Sequence, residues 1–337
     1  MALDWQFENI WNDSLIPVER KPEPRERIFA SELGGAMVDR YLKMKGVEYS
    51  TPPNMRSLRK FEAGNYIEWL VSLVLKRAGL IISQQDRLEY AYDGLLPVSG
   101  KIDFLAGGTP DFAKARAEMD LYDLPPFARK ATNDIIDRFE ASGLSEFKKI
   151  VLEIKSCSSF VFKSIEATEA PLKNHVLQAF HYIKCLGLDE AHIVYVSKDD
   201  MLLKEFGVYN PSQTEDVYKK DIETLTGYFR ANQRPPLEPL IGWENGKFTV
   251  NRRVEYSNYL ELLYGFERPE QYRAQVNKVV TSTNRVVKRI IDGAKMTDKN
   301  KEAIESIKKY YKNFDELVDE AKELAKQGKL VEEEVEE

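Results

Sequence analysis

Between residues 60 and 209 the sequence predicts a mixed α/β or α+β domain with helical additions at both ends. Three observations lead there. The run RSLRKFEAGNYIEWLVSLVLKRAGL carries Phe61, Ile67, Leu70, Leu73 and Val74 at helical spacing. From Ile81 the period shortens to strand-like apolar stretches punctuated by Gly, Pro and Asp. Strand-type and helix-type segments then alternate through KIVLEIKSCS, NHVLQAFHYIKCLGL and AHIVYVSKDD.

Taken in order, residues 1–26 read as irregular and end in the Pro- and charge-rich PVERKPEPRER. Ser31 reads as an N-cap, with Gly34 and Gly35 in the first turns of a helix through AMVDRYLKMKG. STPPNM is a loop before the long amphipathic helix. LEYAYDGLLPVSGKIDFLAG holds two strand-like stretches around a turn. Residues 109–149 are charged and helical, with a break at Leu124-Pro125-Pro126. KIVLEIKSCS is a short buried-type strand, and the helix after it closes at Gly187. AHIVYVSKDD is a strand on which LLKEFGVY pairs back. Residues 212–232 are helical, RPPLEPLI is a linker, and VEYSNYLELLY is a short amphipathic stretch. From Gln271 the chain is helical and charged, with apolar residues at Ile304, Ile307, Tyr311, Phe314, Leu317 and Val318.

Composition bounds the function classes. With 337 residues, 43% of them hydrophobic and 31% charged, the chain has ample material for a folded core. The net charge of −6 offers no global basic field, although a local basic cleft is compatible with an acidic protein. Two cysteines, Cys157 and Cys185, make neither a CxxC pair nor a secreted-type disulfide framework. The N-terminus lacks a signal-peptide apolar core, and no apolar run reaches the roughly 20 residues of a membrane span. The expectation is a cytoplasmic protein with no membrane partner.

The chemistry concentrates in two strand-like segments. Glu153 and Lys155 lie two apart in IVLEIKS, so in a strand they share one face while Ile154 points into the core. Asp103 sits between Ile102 and Phe104 on its own strand-like stretch. If the two strands are neighbours, Asp103, Glu153 and Lys155 meet on one face. Two carboxylates form a hard-oxygen site for Mg²⁺ or Mn²⁺, and a lysine beside it can stabilise a phosphorane-like transition state or orient water. The same residues also read as a strand-end salt bridge, so the neighbours decide. Gln178 and Tyr182, four apart, share a helix face that can meet phosphate or a base. Glu68, four after Gly64, either reaches the same site as an extra ligand or is simply exposed. Arg40, Lys148, Lys149, Arg252, Arg253, Lys288 and Arg289 read as phosphate contacts or as a scatter of solvated charges.

In order, GxxxE (Gly64 to Glu68), GxxD (Gly100 to Asp103), ExK (Glu153 to Lys155) and QxxxY (Gln178 to Tyr182) resemble the motif series of the RecB-like branch of the PD-(D/E)XK nucleases. The match covers about residues 27–209. The resemblance implies a restriction-endonuclease-like α/β core, its mixed central sheet flanked by helices. It implies DNA cleavage with Mg²⁺ or Mn²⁺, with Asp103 and Glu153 as ligands, the Ile154 carbonyl beside them, and Lys155 as the catalytic lysine. Gln178 and Tyr182 would position nucleic acid, His175 could face the phosphates, and Glu68 stands where many relatives have histidine.

Three departures stand out. A literal Pro110-Asp111 pair follows the two glycines, but Asp103 has the strand context and Asp111 looks like a helix start. Residues 108–148 read as a helical insertion where a tight hairpin is common. Some relatives hold an iron–sulfur cluster on four cysteines, which a chain with two cannot supply; RRVEYSNYL resembles the cluster segment without them. The expected organisation is an irregular segment at 1–26, a nuclease domain at 27–232, a linker and packing segment at 233–270, and a charged helical extension with an acidic tail at 271–337.

The function expected is a metal-dependent DNA exonuclease of recombination, repair or phage DNA processing. The alternatives are a structure-selective endonuclease and a non-catalytic DNA-binding or assembly factor. No P-loop is present, so unwinding would need a helicase or recombination partner, and a homo-oligomer is compatible.

Overall fold

The computed structural model describes residues 7–15, 20–209, 212–244, 246–308 and 314–327. The chain begins α1 (Phe7–Ser14), β1 (Ile28–Phe29), α2 (Met37–Met44) and α3 (Met55–Arg77). Four strands follow: β2 (Ile81–Gln84), β3 (Arg87–Tyr90), β4 (Val98–Lys101) and β5 (Phe104–Gly108). Then come α4 (Phe112–Asp120), α5 (Pro126–Ala141), β6 (Phe147–Cys157), α6 (Ser159–Thr168) and α7 (Lys173–Leu186). The strands β7 (Glu190–Ser197) and β8 (Leu203–Tyr209) lead to α8 (Ser212–Arg230). The last part is a hairpin of β9 (Ile241–Glu244) and β10 (Lys247–Val250), then α9 (Arg252–Glu255) and α10 (Leu260–Tyr264). It ends in α11 (Pro269–Ile291), α12 (Asp298–Lys308) and α13 (Phe314–Lys326).

Two compact units result. One comprises residues 1–35, 40–47 and 53–234; the other comprises 36–39, 48–52 and 235–337. The first is a mixed α/β unit. Among the described residues its central sheet has five strands in the order β2-β5-β6-β7-β8. The β6–β7 pair is parallel and the other neighbours are antiparallel, so the sheet is mixed as expected. A smaller sheet, β1-β4-β3, lies in the same unit.

The helix α3 forms where its period predicts it. Asn54 caps it by accepting the Ser57 N–H at 2.9 Å, and Gly79 (φ +66) turns the chain beyond its end. Ile67 of α3 packs with Phe104, Leu152, Ile154 and Val196 on one sheet face. Each such side chain fully buried contributes about 1.5–3 kcal/mol. Glu153 and Lys155, of the other parity, point to the opposite face and meet α7. Thus the alternation of IVLEIKS divides apolar packing from chemistry.

Several elements differ from the sequence expectation. Within the segment read as irregular, residues 7–14 form α1, because Trp11 Nε1 donates to Glu62 at 2.9 Å and Arg59 bonds Glu8 and Asn12. Ser31 lies in a 3₁₀ turn (Ala30–Glu32), and the helix starts at Met37; Gly34, at φ +69, breaks the path between them. The two stretches expected between 88 and 107 belong to β3, β4 and β5, which divide between two sheets. The segment 109–149 holds α4 and α5 with the break at the prolines as expected, Asp111 capping α4 through the Lys114 N–H, but its last residues from Phe147 already belong to β6.

The second unit has its own core, in which Phe248, Leu260, Tyr272 and Phe314 are buried together. Part of the expected linker is the β9–β10 hairpin, in which Lys247 pairs with Glu244 and Phe248 with Trp243. In RRVEYSNYL, Val254, Tyr259 and Leu260 are fully buried, and Ser257 donates to Asp39 at 2.9 Å. Tyr311 and residues 328–337, which include the acidic EEEVEE tail, lie outside the described residues. Among the described residues no helix is long and apolar enough to cross a membrane.

Candidate active site

The site forms where β5 leaves the ladder with β6. Phe104 pairs with Leu152, and one step further Asp103 and Glu153 would stand opposite each other. Asp103, expected within a strand, instead occupies a bend between β4 and β5, because the chain crosses there from the small sheet into the central one. The bend frees its carboxylate to accept the Ile154 N–H at 2.7 Å. In a strand a residue's N–H and C=O point to the same edge, so the Ile154 carbonyl opens toward Asp103 as well.

Glu153 is 1% exposed and Oε1 carries its hydrogen bonds. Lys155 Nζ donates to it at 2.7 Å and to Gln178 Oε1 at 2.9 Å. Gln178 Nε2 donates to the same Glu153 oxygen at 2.7 Å and to the Tyr182 hydroxyl at 3.2 Å. Tyr182 in turn donates to the Lys101 carbonyl at 2.7 Å, beside the Asp103 bend. Among the described residues Glu153 Oε2 is buried with no hydrogen-bond partner. An orphaned carboxylate oxygen of this kind is costly unless something occupies it.

Electrostatics point the same way. Burial raises the Asp103 carboxyl well above the ordinary range, and the charges of Glu153 and Glu68 raise it further; the Ile154 N–H and Lys155 oppose them. Burial also raises Glu153, against the pull of Lys155. Glu68 is raised by burial, while a hydrogen bond from Gln85 and the charge of Lys155 lower it. Three acids are thus held near one another with one lysine among them.

Such a donor set fits a hard divalent cation. Among the described residues no three His, Cys, Asp or Glu side chains are gathered as a ready-made cage. Mg²⁺ does not need one, since it is commonly held by one or two carboxylates with waters and substrate phosphates completing the shell. The structure brings Asp103, Glu153 and Lys155 together, with Ile154 alongside. Glu68 lies within reach of their charge without joining them in one cluster.

The expected nucleic-acid contacts touch protein here. Gln178 is 7% exposed and Tyr182 1%, and both are spent on the network just described. His175 hydrogen-bonds the Tyr195 hydroxyl through Nδ1 at 2.8 Å, and burial lowers its pKa to about 3. It is therefore neutral and carries no charge to offer a phosphate. Arg40 is committed to Asp221 at 2.7 Å and Lys148 to Glu190 at 2.8 Å.

The motif glycines have physical reasons. A Cβ on Gly100 would lie 2.7 Å from Ala30 Cβ and 2.8 Å from the Tyr182 oxygen. A Cβ on Gly64 would lie 3.1 Å from Ser156 Oγ, so the glycine brings α3 close to β6. Gly100→Ala should therefore cost about 1–3 kcal/mol through overpacking and disturb the Tyr182–Lys101 bond. Denaturant unfolding measures the first effect. An unchanged midpoint would show that Tyr182 has room to move.

Sequence reasoning missed Gln85. Its backbone N–H donates to the Asp103 carbonyl at 3.3 Å and its side-chain amide to Glu68 Oε1 at 2.7 Å. The sequence around it (SQQDR) offers no periodicity that would single it out; only its φ of +57, invisible in sequence, marks the position.

No known protein family and no curated protein matches the sequence. Solved structures do resemble the fold at a distance. SSO0001 is 14% identical with a TM-score of 0.41, the match covering 72% of this chain and 86% of that one. The alkaline exonuclease LHK-Exo from Laribacter hongkongensis is 12% identical with a TM-score of 0.37, covering 61% and 89%. A phage-related exonuclease from Haemophilus somnus 129PT is 11% identical with a TM-score of 0.30, covering 67% and 98%. At that distance no residue's role follows from the likeness.

Proposed function

We propose that the chain is a metal-dependent DNA nuclease of the RecB-like PD-(D/E)XK type, acting as an exonuclease. The observation that carries this reading is the buried Oε2 of Glu153, without a hydrogen-bond partner among the described residues, beside an Asp103 carboxyl crowded by two other acids. Lys155 and Gln178 both bond Oε1, which leaves Oε2 open to a ligand.

Asp103 and Glu153 would hold Mg²⁺ or Mn²⁺, with the Ile154 carbonyl next to them. The ion would supply Lewis acidity and lower the pKa of bound water. Lys155 has three N–H donors and spends two, on Glu153 and Gln178. The third is left for a phosphate oxygen or the attacking water. Gln178 is a positioning residue, since its amide holds the lysine and the acid in one geometry. Tyr182 fixes the bend that presents Asp103. In the reaction water would add to phosphorus and give up a proton to solvent, the P–O ester bond would break, and the departing alkoxide would take up a proton from solvent.

The test uses end-labelled linear and closed circular DNA, single- and double-stranded, with Mg²⁺, Mn²⁺ or EDTA. Loss of linear DNA only, abolished by EDTA, is the expected result. Cutting of circles would make the protein an endonuclease. Binding without cleavage under every metal would overturn the catalytic reading and leave a DNA-binding factor.

A further inference from the structure

Gln85 stands in the turn between β2 and β3 with φ +57, one of the few non-glycine residues in the left-handed region. Glycine and asparagine occupy that region more readily than glutamine does. What glutamine adds is reach. Its amide extends to Glu68 Oε1 at 2.7 Å, while its own N–H bonds the carbonyl of Asp103 at 3.3 Å. The turn is braced on its β2 side, where Gln84 pairs with Phe104, the residue after Asp103. One residue therefore ties the acid of α3 to the backbone of the acid at the bend.

We propose that Gln85 is a positioning residue that fixes Glu68 against the metal site formed by Asp103 and Glu153. The proposal rests on the metal-site reading given above. An exposed hydrogen bond between two free side chains would do little. Here the donor is carried on a turn already anchored to Asp103, so the amide holds Glu68 at a set distance from that carboxylate. Glu68 then acts as an outer partner of the bound ion, and outer partners typically change metal affinity by about 10–100-fold when removed.

The discriminating variant is Gln85→Gly, which deletes the amide and also relieves the positive φ, so backbone strain cannot explain a loss. Mn²⁺ binding by isothermal titration calorimetry on the full chain is the readout, with metal-free thermal unfolding as the check on folding. Gln85→Gly should bind Mn²⁺ about 10-fold more weakly at an unchanged or higher metal-free melting temperature. Gln85→Asn, which suits the backbone but falls one carbon short of Glu68, should behave the same way. Gln85→Gly combined with Glu68→Gln should be no weaker than Glu68→Gln alone, because both remove one interaction.

Wild-type affinity in Gln85→Gly, or losses that multiply in the double variant, would overturn this role for Gln85. The metal-site reading would survive that outcome so long as Asp103→Asn abolishes binding. A wild-type chain that takes up no Mn²⁺ would overturn both.

Discussion

Asp103→Asn is expected to abolish cleavage and, at the same time, to make the metal-free protein more stable. Asparagine keeps an oxygen for the Ile154 N–H, now bonded at 2.7 Å, so the bend should survive. What disappears is a carboxylate held among Glu153 and Glu68 in a partly buried position. Activity should fall by on the order of 10³-fold or more, the scale of losing one preorganised electrostatic group. The melting temperature should rise by about 2–4 °C, the shift that about 1 kcal/mol produces in a unit of this size.

The pH dependence follows with a definite sign. Asp103 and Glu153 are both raised in the folded state, so over the window above their ordinary values the folded chain binds more protons than the unfolded one. Stability of the metal-free protein is therefore fully present on the acid side and declines as pH rises through that window. Denaturant unfolding at about pH 5 and about pH 8 should show this decline in the wild type and a smaller one in Asp103→Asn. Saturating Mg²⁺ should restore the wild type alone. A variant less stable than the wild type at neutral pH would contradict the account of Asp103.

Lys155→Met should abolish turnover without abolishing metal binding. Methionine preserves much of the stem but removes the cation from an oxygen of Glu153, which is 1% exposed. Cleavage should fall by about 10²–10⁴-fold, as for loss of a group that acts on the transferring phosphate or its water. The metal-free protein should be destabilised by about 1–3 kcal/mol, less than for a fully buried pair because the lysine side chain is 21% exposed. Mn²⁺ should recover part of that loss by taking the place of the missing charge. The two variants are thus expected to move metal-free stability in opposite directions while both lose cleavage. A purely structural salt bridge accounts for the opposite stability shifts but gives no reason for both variants to lose cleavage.

The parts of this site that were legible in sequence are those set by short-range periodicity. Alternation along IVLEIKS placed Glu153 and Lys155 on one face and Ile154 on the other, and packing against Ile67 and Phe104 agrees. The four-residue spacing of Gln178 and Tyr182 likewise put both side chains into one network. Long-range geometry was not legible. Asp103 reads as a strand residue because its neighbours are apolar, yet the strands on either side of it, β4 and β5, belong to two different sheets. Gln178 and Tyr182 looked available to a substrate because polarity does not report burial. Helix α1 escaped notice because its contacts come from Arg59 and Glu62, some fifty residues away. Gln85 was invisible for a related reason: its importance comes from a backbone angle and from the two acids it bridges.

The central claim is that Asp103 and Glu153 share a divalent cation. Anomalous diffraction at the manganese edge, from crystals of the full chain soaked in Mn²⁺, tests it most directly. The account predicts a peak in contact with the Asp103 carboxylate and with Glu153 Oε2, the oxygen left without a hydrogen-bond partner among the described residues. Crystals at saturating Mn²⁺ that show no peak between those two carboxylates, or show one only elsewhere, would contradict it.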